Sequence, residues 1–354
     1  MKILASFIKI NTIDELLDNF FYQSLFSLAT LKPEIHFYFI VNSSVDLKDH
    51  NHPINIEVLV TKMFLGMKLF KKLNTSTFLS RKIKSLQPDI FFSEDMLSYE
   101  NINCRKFFRA DYAEVMNNKK LKKTDRTNYI IAANEWVKNK WISENPLNEI
   151  SILEIGEGVQ AAEPLSFEEK IIIKKKYTEE KDFFVVHDVS SDNNFITVLK
   201  AYSLFKKWQQ SSMLLLLLID TKNKNAFENI LSNYKFRADV TLVDKYMDDA
   251  IKITQTAYAS LFIQDLYRIT THMLLALRAG SPIILPKSDY FSSFFKESGF
   301  YVVPNEIDIS KAMILIYKDE NYRNALAEKG YSEVKINTWP EVANNLWQVI
   351  SNLS

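Results

Sequence analysis

Short apolar runs alternate with helix-period segments along almost the whole chain. Ile3 to Ile8 predicts a strand. Ile13 to Ala29 predicts a helix entered through a capping box, with Thr12 as the cap and Glu15 three residues on. Extended runs follow at Ile35 to Val41 and Ile54 to Val60. A helical segment over Thr77 to Leu86 leads into Pro88 to Phe92, another strand, and Tyr129 to Ala133 and Ile150 to Ile155 add two more. Apolar runs separated by helices are the pattern of a parallel sheet covered on both faces.

The stretch Gly156 to Glu169 interrupts the alternation with two glycines, a proline and four glutamates, and reads as a linker. Beyond it the pattern resumes more cleanly. Phe183 to Val186, Met213 to Ile219, Val240 to Val243, Ala257 to Ile263 and Pro282 to Leu285 predict strands. Phe195 to Trp208, Phe227 to Ser232 and Thr271 to Ala279 predict helices, and the tail from Ile307 onward is helical. Nothing in Met213 to Ile219 alternates with polar residues, so that strand is expected to be buried on both faces. Lys174 to Lys176 fall late in a helix, where cations complement the helix dipole.

The predicted fold is therefore α/β, with two Rossmann-like domains. Residues 1–155 form the first, 156–169 the linker, 170–338 the second, and 339–354 a C-terminal helix. Two such sheets facing across a cleft bind ligands outside the carboxyl ends of their strands.

Composition narrows the chemistry. Of 354 residues only 6 are glycine, where an average frequency gives roughly 25. No cluster of glycines exists for a dinucleotide fingerprint or a Walker-type phosphate loop, whose backbones must approach phosphate without a Cβ in the way. The 44 Lys and Arg against 43 Asp and Glu leave a net charge of +1, which removes the global electrostatic case for a nucleic-acid binder. Cys104 is the single cysteine, so neither an intrachain disulfide nor a cysteine-based zinc site can form. No metal or cofactor is expected. Met1 to Ile10 is too short and too interrupted for a secretory signal, and the seven apolar residues from Met213 fall well short of a membrane span. These features predict a cytoplasmic protein, with peripheral membrane contact left open.

A family resemblance enters through the second half, from about Ile155 to Ile350. Gly158-Val159 looks like the Asn-Gly-Val turn that enters the second domain of GT-B-fold glycosyltransferases of the retaining, family 4 type. Phe183 to Val186 followed by Asn194 and Leu199 to Tyr202 resembles that domain's first strand, loop and helix. Leu274 to Ile284, with Ala276, Gly280 and Pro282-Ile283-Ile284, is similar to a characteristic helix-turn-strand of the family. Lys318 to Asn321, Arg323, Leu326, Gly330 and Trp339 resemble its C-terminal helices, the last of which crosses back to the first domain. In the first half only Gln87 to Ile90 and Asn134 to Trp136 carry the likeness.

The resemblance implies a nucleotide-sugar donor, held by cations and helix N-termini aimed at its phosphates. Here the positions that should supply that chemistry do not. The arginine and lysine places fall on Asp192 and Asn193, and the glycine of the same loop falls on His187. A carboxylate at about 4 Å from a phosphate charge costs about 4 kcal/mol at an effective dielectric near 20. The two glutamates that position the sugar and accept from the ribose fall on Tyr267 and Leu275, and Leu275 can accept no hydrogen bond. The glycines between them fall on Arg268 and Thr270, and a proline position falls on His272. In the first domain the loop Ile8 to Thr12 has no glycine, and no histidine lies between His52 and His187.

Individual residues divide between a chemical and a packing role. His187 should face the cleft, as an acid or base or as a hydrogen-bonded remnant. His272 is expected to be a capping or surface residue. Arg268 is a candidate anion ligand at a helix N-terminus or a surface arginine, and Lys222 a phosphate contact or a solvated helix start. Tyr267 would stack on a base or sugar, or pack in the core. Asp265 is a candidate displaced acid. His50-Asn51-His52 looks like a metal pair but lacks acidic or cysteine company, so a loop is expected. Trp136, Trp141 and Trp208 are expected in core or interdomain packing, and Cys104 has no role assigned.

Two functional readings follow. In the first, this is a glycosyltransferase-like protein with its standard donor site dismantled: a non-catalytic partner, chaperone or carbohydrate-binding member of a glycan-assembly pathway. In the second, it is an active transferase moving a sugar from a nucleotide donor to a glycan or lipid-linked acceptor through altered residues, among them His187, Arg268 and Lys222.

Overall fold

The computed structural model describes residues 1–47, 50–61, 81–93, 104–116, 128–145, 151–159, 164–187, 189, 191–263, 267–333 and 337–352. Residues 77–80 of the expected helix, Ile150 and the candidate Asp265 lie outside them. The chain forms two compact units, Met1–Gly158 with Asn337–Ser354, and Val159–Ile336.

The first unit is built on seven parallel strands: β1 (Lys2–Phe7), β2 (His36–Val41), β3 (Ile56–Val60), β4 (Ile90–Ser93), β5 (Arg105–Ala110), β6 (Asn128–Ala132) and β7 (Ser151–Glu154). Their order is β3-β2-β1-β4-β5-β6-β7, with the sequence direction reversing its spread at β1. Side chains alternate between two buried faces. Ile3, Ala5 and Phe7 enter one cluster with Phe37 and Phe39, while Leu4, Ile40 and Phe91 form another. That is the period-2 geometry of a strand with cover on both sides.

The helix expected over Ile13 to Ala29 is two helices, Ile13–Leu17 and Phe20–Leu31. Asn19 stands between them in an extended conformation, and its side chain accepts from the Tyr22 amide at 3.0 Å. An asparagine that satisfies a helix-start amide restarts the helix instead of continuing it. Thr12 does accept from the Glu15 amide, but the Glu15 carboxylate accepts from the Asn11 amide.

The helix Trp339–Asn352 belongs to this unit. It packs against Phe20–Leu31, and its Trp339, Val342, Ala343, Leu346 and Ile350 join the core with Phe20, Phe21 and Leu25. Arg109 on β5 fastens a second remote segment. Its guanidinium lies 3.5 Å from the centre of the Phe20 ring, donates to the Ile155 carbonyl at 2.7 Å and pairs with Glu157 at 3.3 Å. A planar cation can stack and donate at once, so one side chain fixes a core aromatic and the outgoing chain.

β8 (Gly158–Val159) lies where the first unit ends. The second unit carries six parallel strands: β9 (Phe183–His187), β10 (Leu214–Ile219), β11 (Val240–Asp244), β12 (Ala259–Phe262), β13 (Ile283–Pro286) and β14 (Gly299–Val302), in the order β11-β10-β9-β12-β13-β14. Every side chain of β10 is buried, as its unbroken apolar run requires. Leu215, Leu217 and Ile219 pack on one face and Leu214, Leu216 and Leu218 on the other. Each such side chain contributes about 1.5–3 kcal/mol when fully buried. Both units are thus Rossmann-like α/β layers. Trp141 is buried as expected and Trp136 stacks on Tyr112, but Trp208 is 69% exposed, at the solvent end of the helix Asp192–Gln209. Among the described residues no helix is long and apolar enough to cross a membrane.

Gly158 is required by its neighbour. A Cβ there would stand 2.6 Å from the Trp339 ring. Gly158→Ala should therefore destabilise the protein by about 1–3 kcal/mol through overpacking, measured by chemical denaturation. Combining it with Trp339→Leu should recover part of that loss, since the smaller side chain vacates the contested space.

Candidate functional site

In a sheet ordered β11-β10-β9-β12-β13-β14 the chain turns outward in opposite directions from β9 and β12. The carboxyl ends of those two strands mark the point where a doubly wound sheet opens for ligands. Phe262 pairs with His187 in register there.

His187 is the last residue of β9 and points to the face covered by the helices Ala250–Thr256 and Thr271–Arg278. It is 2% exposed. Its ring stacks on Phe262 at 4.4 Å between centroids with 9° between planes, and lies 5.0 Å from the His272 ring at 37°. His272 sits in the first turn of Thr271–Arg278, and its Nδ1 is 3.1 Å from the Thr254 hydroxyl. The cap of that helix is Thr270, whose hydroxyl accepts from the Met273 amide, so His272 neither caps nor stands on the open surface. The His187 Nε2 has no hydrogen-bond partner among the described residues. Burial pushes the His187 pKa well below the usual histidine range, and the neighbouring His272 pushes the same way. His187 is consequently a neutral imidazole in the wall of the sheet. The expectation that it faces an open cleft is corrected: stacking on Phe262 and the cover of His272 close it off.

Two helix N-termini converge near these strand ends. Ser191 caps Asp192–Gln209 by accepting from the Asn194 amide at 3.3 Å. Asp192 and Asn193 are exposed in its first turn. A carboxylate there is favourable to the helix dipole by about 0.3–1 kcal/mol, and it occupies electrostatically the place where a bound anion would gain.

No family model and no curated protein matches the sequence. Solved structures do match. A sucrose-phosphate synthase from Thermosynechococcus elongatus superposes with a TM-score of 0.77 at 13% identity, over 100% of this chain and 99% of that one. Anabaena Alr3699/HepE in complex with UDP and glucose gives 0.75 at 11%, over 99% and 100%. WaaG, a glycosyltransferase involved in lipopolysaccharide biosynthesis, gives 0.74 at 11%, over 99% and 100%. The chain has the GT-B glycosyltransferase fold.

On this GT-B scaffold the positions singled out in the sequence scatter. Leu275 is 0% exposed, within the helix Thr271–Arg278. Tyr267 is half-buried, its ring 5.3 Å from that of Phe291. Arg268 is exposed two residues before the Thr270 cap. Lys222 lies in a short 3-10 turn after β10, 75% exposed at its side chain and paired with Asp220 at 2.9 Å, not directed at the His187 cluster. In the first unit His52 lies in a loop with its Nε2 3.2 Å from the Tyr22 hydroxyl, and His50 is exposed. Among the described residues no group of His, Cys, Asp or Glu is placed to hold a metal ion. Burial pushes the Cys104 thiol up to about 11, which leaves it protonated and unreactive. Thr254, 18 residues from His272, belongs to the strand-end cluster and carried no local sequence signal, while His272 stood out only as a position where the resemblance has a proline.

Two outcomes follow. Because the folded-state pKa of His187 is lowered, its contribution to stability is present above the unfolded value near 6.5 and is lost as pH falls through it. Thermal denaturation from pH 8 to pH 5 should show a loss approaching about 1.4 kcal/mol per pH unit below 6.5 from this group, and His187→Phe should flatten that slope. Leu275→Glu should cost about 3–5 kcal/mol, as an unpaired buried charge does. Tolerance of that glutamate would place the side chain at a solvated, donor-facing surface.

Proposed function

We propose that this GT-B-fold protein has lost the standard nucleotide-sugar chemistry and serves a glycan-assembly pathway as a non-catalytic partner of an active transferase. The observation that carries this reading is the closed carboxyl end of β9. At the place where the resemblance calls for a glycine admitting donor phosphate, His187 is 2% exposed, stacked on Phe262 and flanked by His272. The other substitutions act in the same direction. Asp192 gives the adjoining helix start a negative charge, and Leu275 is sunk in the interior where a ribose acceptor would be required.

Each loss removes a different element of donor binding: close backbone approach, anion neutralisation and hydroxyl recognition. Changing all three leaves an intact scaffold without the means to stabilise a departing diphosphate. A retained fold with exposed surface is then suited to protein contact.

HepE is described with UDP and glucose bound, so UDP and UDP-glucose are the natural probes. Calorimetric titration and thermal shift should detect no binding of either at millimolar concentration. A genuine donor at 100 times its dissociation constant would stabilise the protein by about 2.7 kcal/mol. Such a shift, or sugar transfer to a glycan or lipid-linked acceptor, would establish the active-enzyme reading instead. Co-expression with a transferase from the same cell should raise that enzyme's yield or activity if the partner reading holds.

A further inference from the structure

The second unit has a separate pocket at the opposite edge of its sheet, by the amino ends of β9, β12 and β13. Its volume is about 200 Å³, below the roughly 300–1,000 Å³ typical of drug-sized ligands. Lys170, Lys174, Asp182, Tyr258, Gly280 and Arg323 line it. Three cations therefore meet one carboxylate. Lys174 pairs with Asp182 at 2.5 Å, which leaves Lys170 and Arg323 as the net charge.

Arg323 is partly engaged. Its Nε donates to the Tyr258 carbonyl at 3.1 Å, its Nη1 to Asn324 at 3.0 Å, and its guanidinium carbon lies 4.2 Å from the centre of the Tyr258 ring. These contacts aim the guanidinium and leave Nη2 without a hydrogen bond among the described residues. The Lys170 amide donates to the Ser166 carbonyl at 3.1 Å, but its ammonium has no hydrogen bond or ion pair among the described residues. Burial holds its ammonium below the usual lysine range, and the charges of Arg323 and Lys174 add to that effect. A half-buried ammonium facing two other cations is costly unless an anion joins them.

We propose that this pocket binds a small phosphate-bearing ligand, held between the Lys170 ammonium and the Arg323 guanidinium. Phosphate offers several acceptors to a point charge and a planar fork together. The exposed Phe167 and Ile171 flank the opening and would cover an organic substituent on the phosphate. The site is independent of the donor position at the carboxyl end of β9, so its failure and that of the partner reading are separately detectable.

The test uses the full chain and inorganic phosphate at constant ionic strength, followed by thermal shift and calorimetry. Phosphate should raise Tm saturably, and Lys170→Met should weaken its binding about tenfold or more. Without phosphate Lys170→Met should melt no lower than the parent, because it removes a repelled cation. Lys200→Met, a change at an exposed lysine of the helix Asp192–Gln209 that does not line the pocket, should leave the phosphate response intact. Sedimentation with phosphatidylcholine vesicles containing phosphatidic acid separates the sources. A response to free phosphate that depends on Lys170 identifies a soluble ligand. Vesicle binding that depends on Lys170, without a response to free phosphate, identifies a lipid headgroup. Absence of both, or responses unchanged in Lys170→Met, overturns the proposal.

Discussion

A parallel strand packed by helices on both faces has no side left for solvent, so whatever such a sheet does must be done at its ends. Everything of functional interest in the second unit obeys this constraint. The flanks of β9 and β10 are committed to the two apolar clusters. His187 terminates β9 at the carboxyl edge, and Asp182 precedes it at the amino edge. One edge is plugged by stacked rings, and the other holds unbalanced cations. A single strand therefore connects a closed polar end to an electrostatically incomplete one.

The sheets were readable because burial on both faces writes uninterrupted apolar runs into the sequence, as in Leu214–Ile219. β5 was not, since Arg105, Lys106 and Arg109 break its run. Yet Lys106 is 2% exposed and Arg109 lies against Phe20, so two cations serve inside the layer. Long side chains can bury their stems while their heads find partners, which no periodicity reveals. β14 is not legible either: Gly299-Phe300-Tyr301-Val302 opens on a glycine instead of an apolar residue, and it is held by pairing with β13.

The candidate sites show the same division. That His187 ends a strand follows from the run before it. That it is sealed does not, because Phe262 and His272 are 75 and 85 residues away and only the strand order brings them near. Leu275 was legible as a hydrogen-bonding loss, and its complete burial adds that the helix has turned this position into packing. The Lys170 pocket is assembled from the starts of three strands and two remote helices, so charge counting along the sequence had nothing to register.

The composition of the first unit's core has a consequence for synthesis. Trp339, Val342, Leu346 and Ile350 complete it, yet they emerge from the ribosome only after every residue of Val159–Ile336. The second unit can collapse from a continuous stretch of chain while the first, although begun earlier, waits for its last helix. Closing a core across so long a separation is slow, and in that interval Phe20, Phe21 and Leu25 lack the cover that Trp339–Asn352 supplies. Completion of the first core must therefore wait for a helix made after the whole of the second unit, although most of that core's residues are made before it.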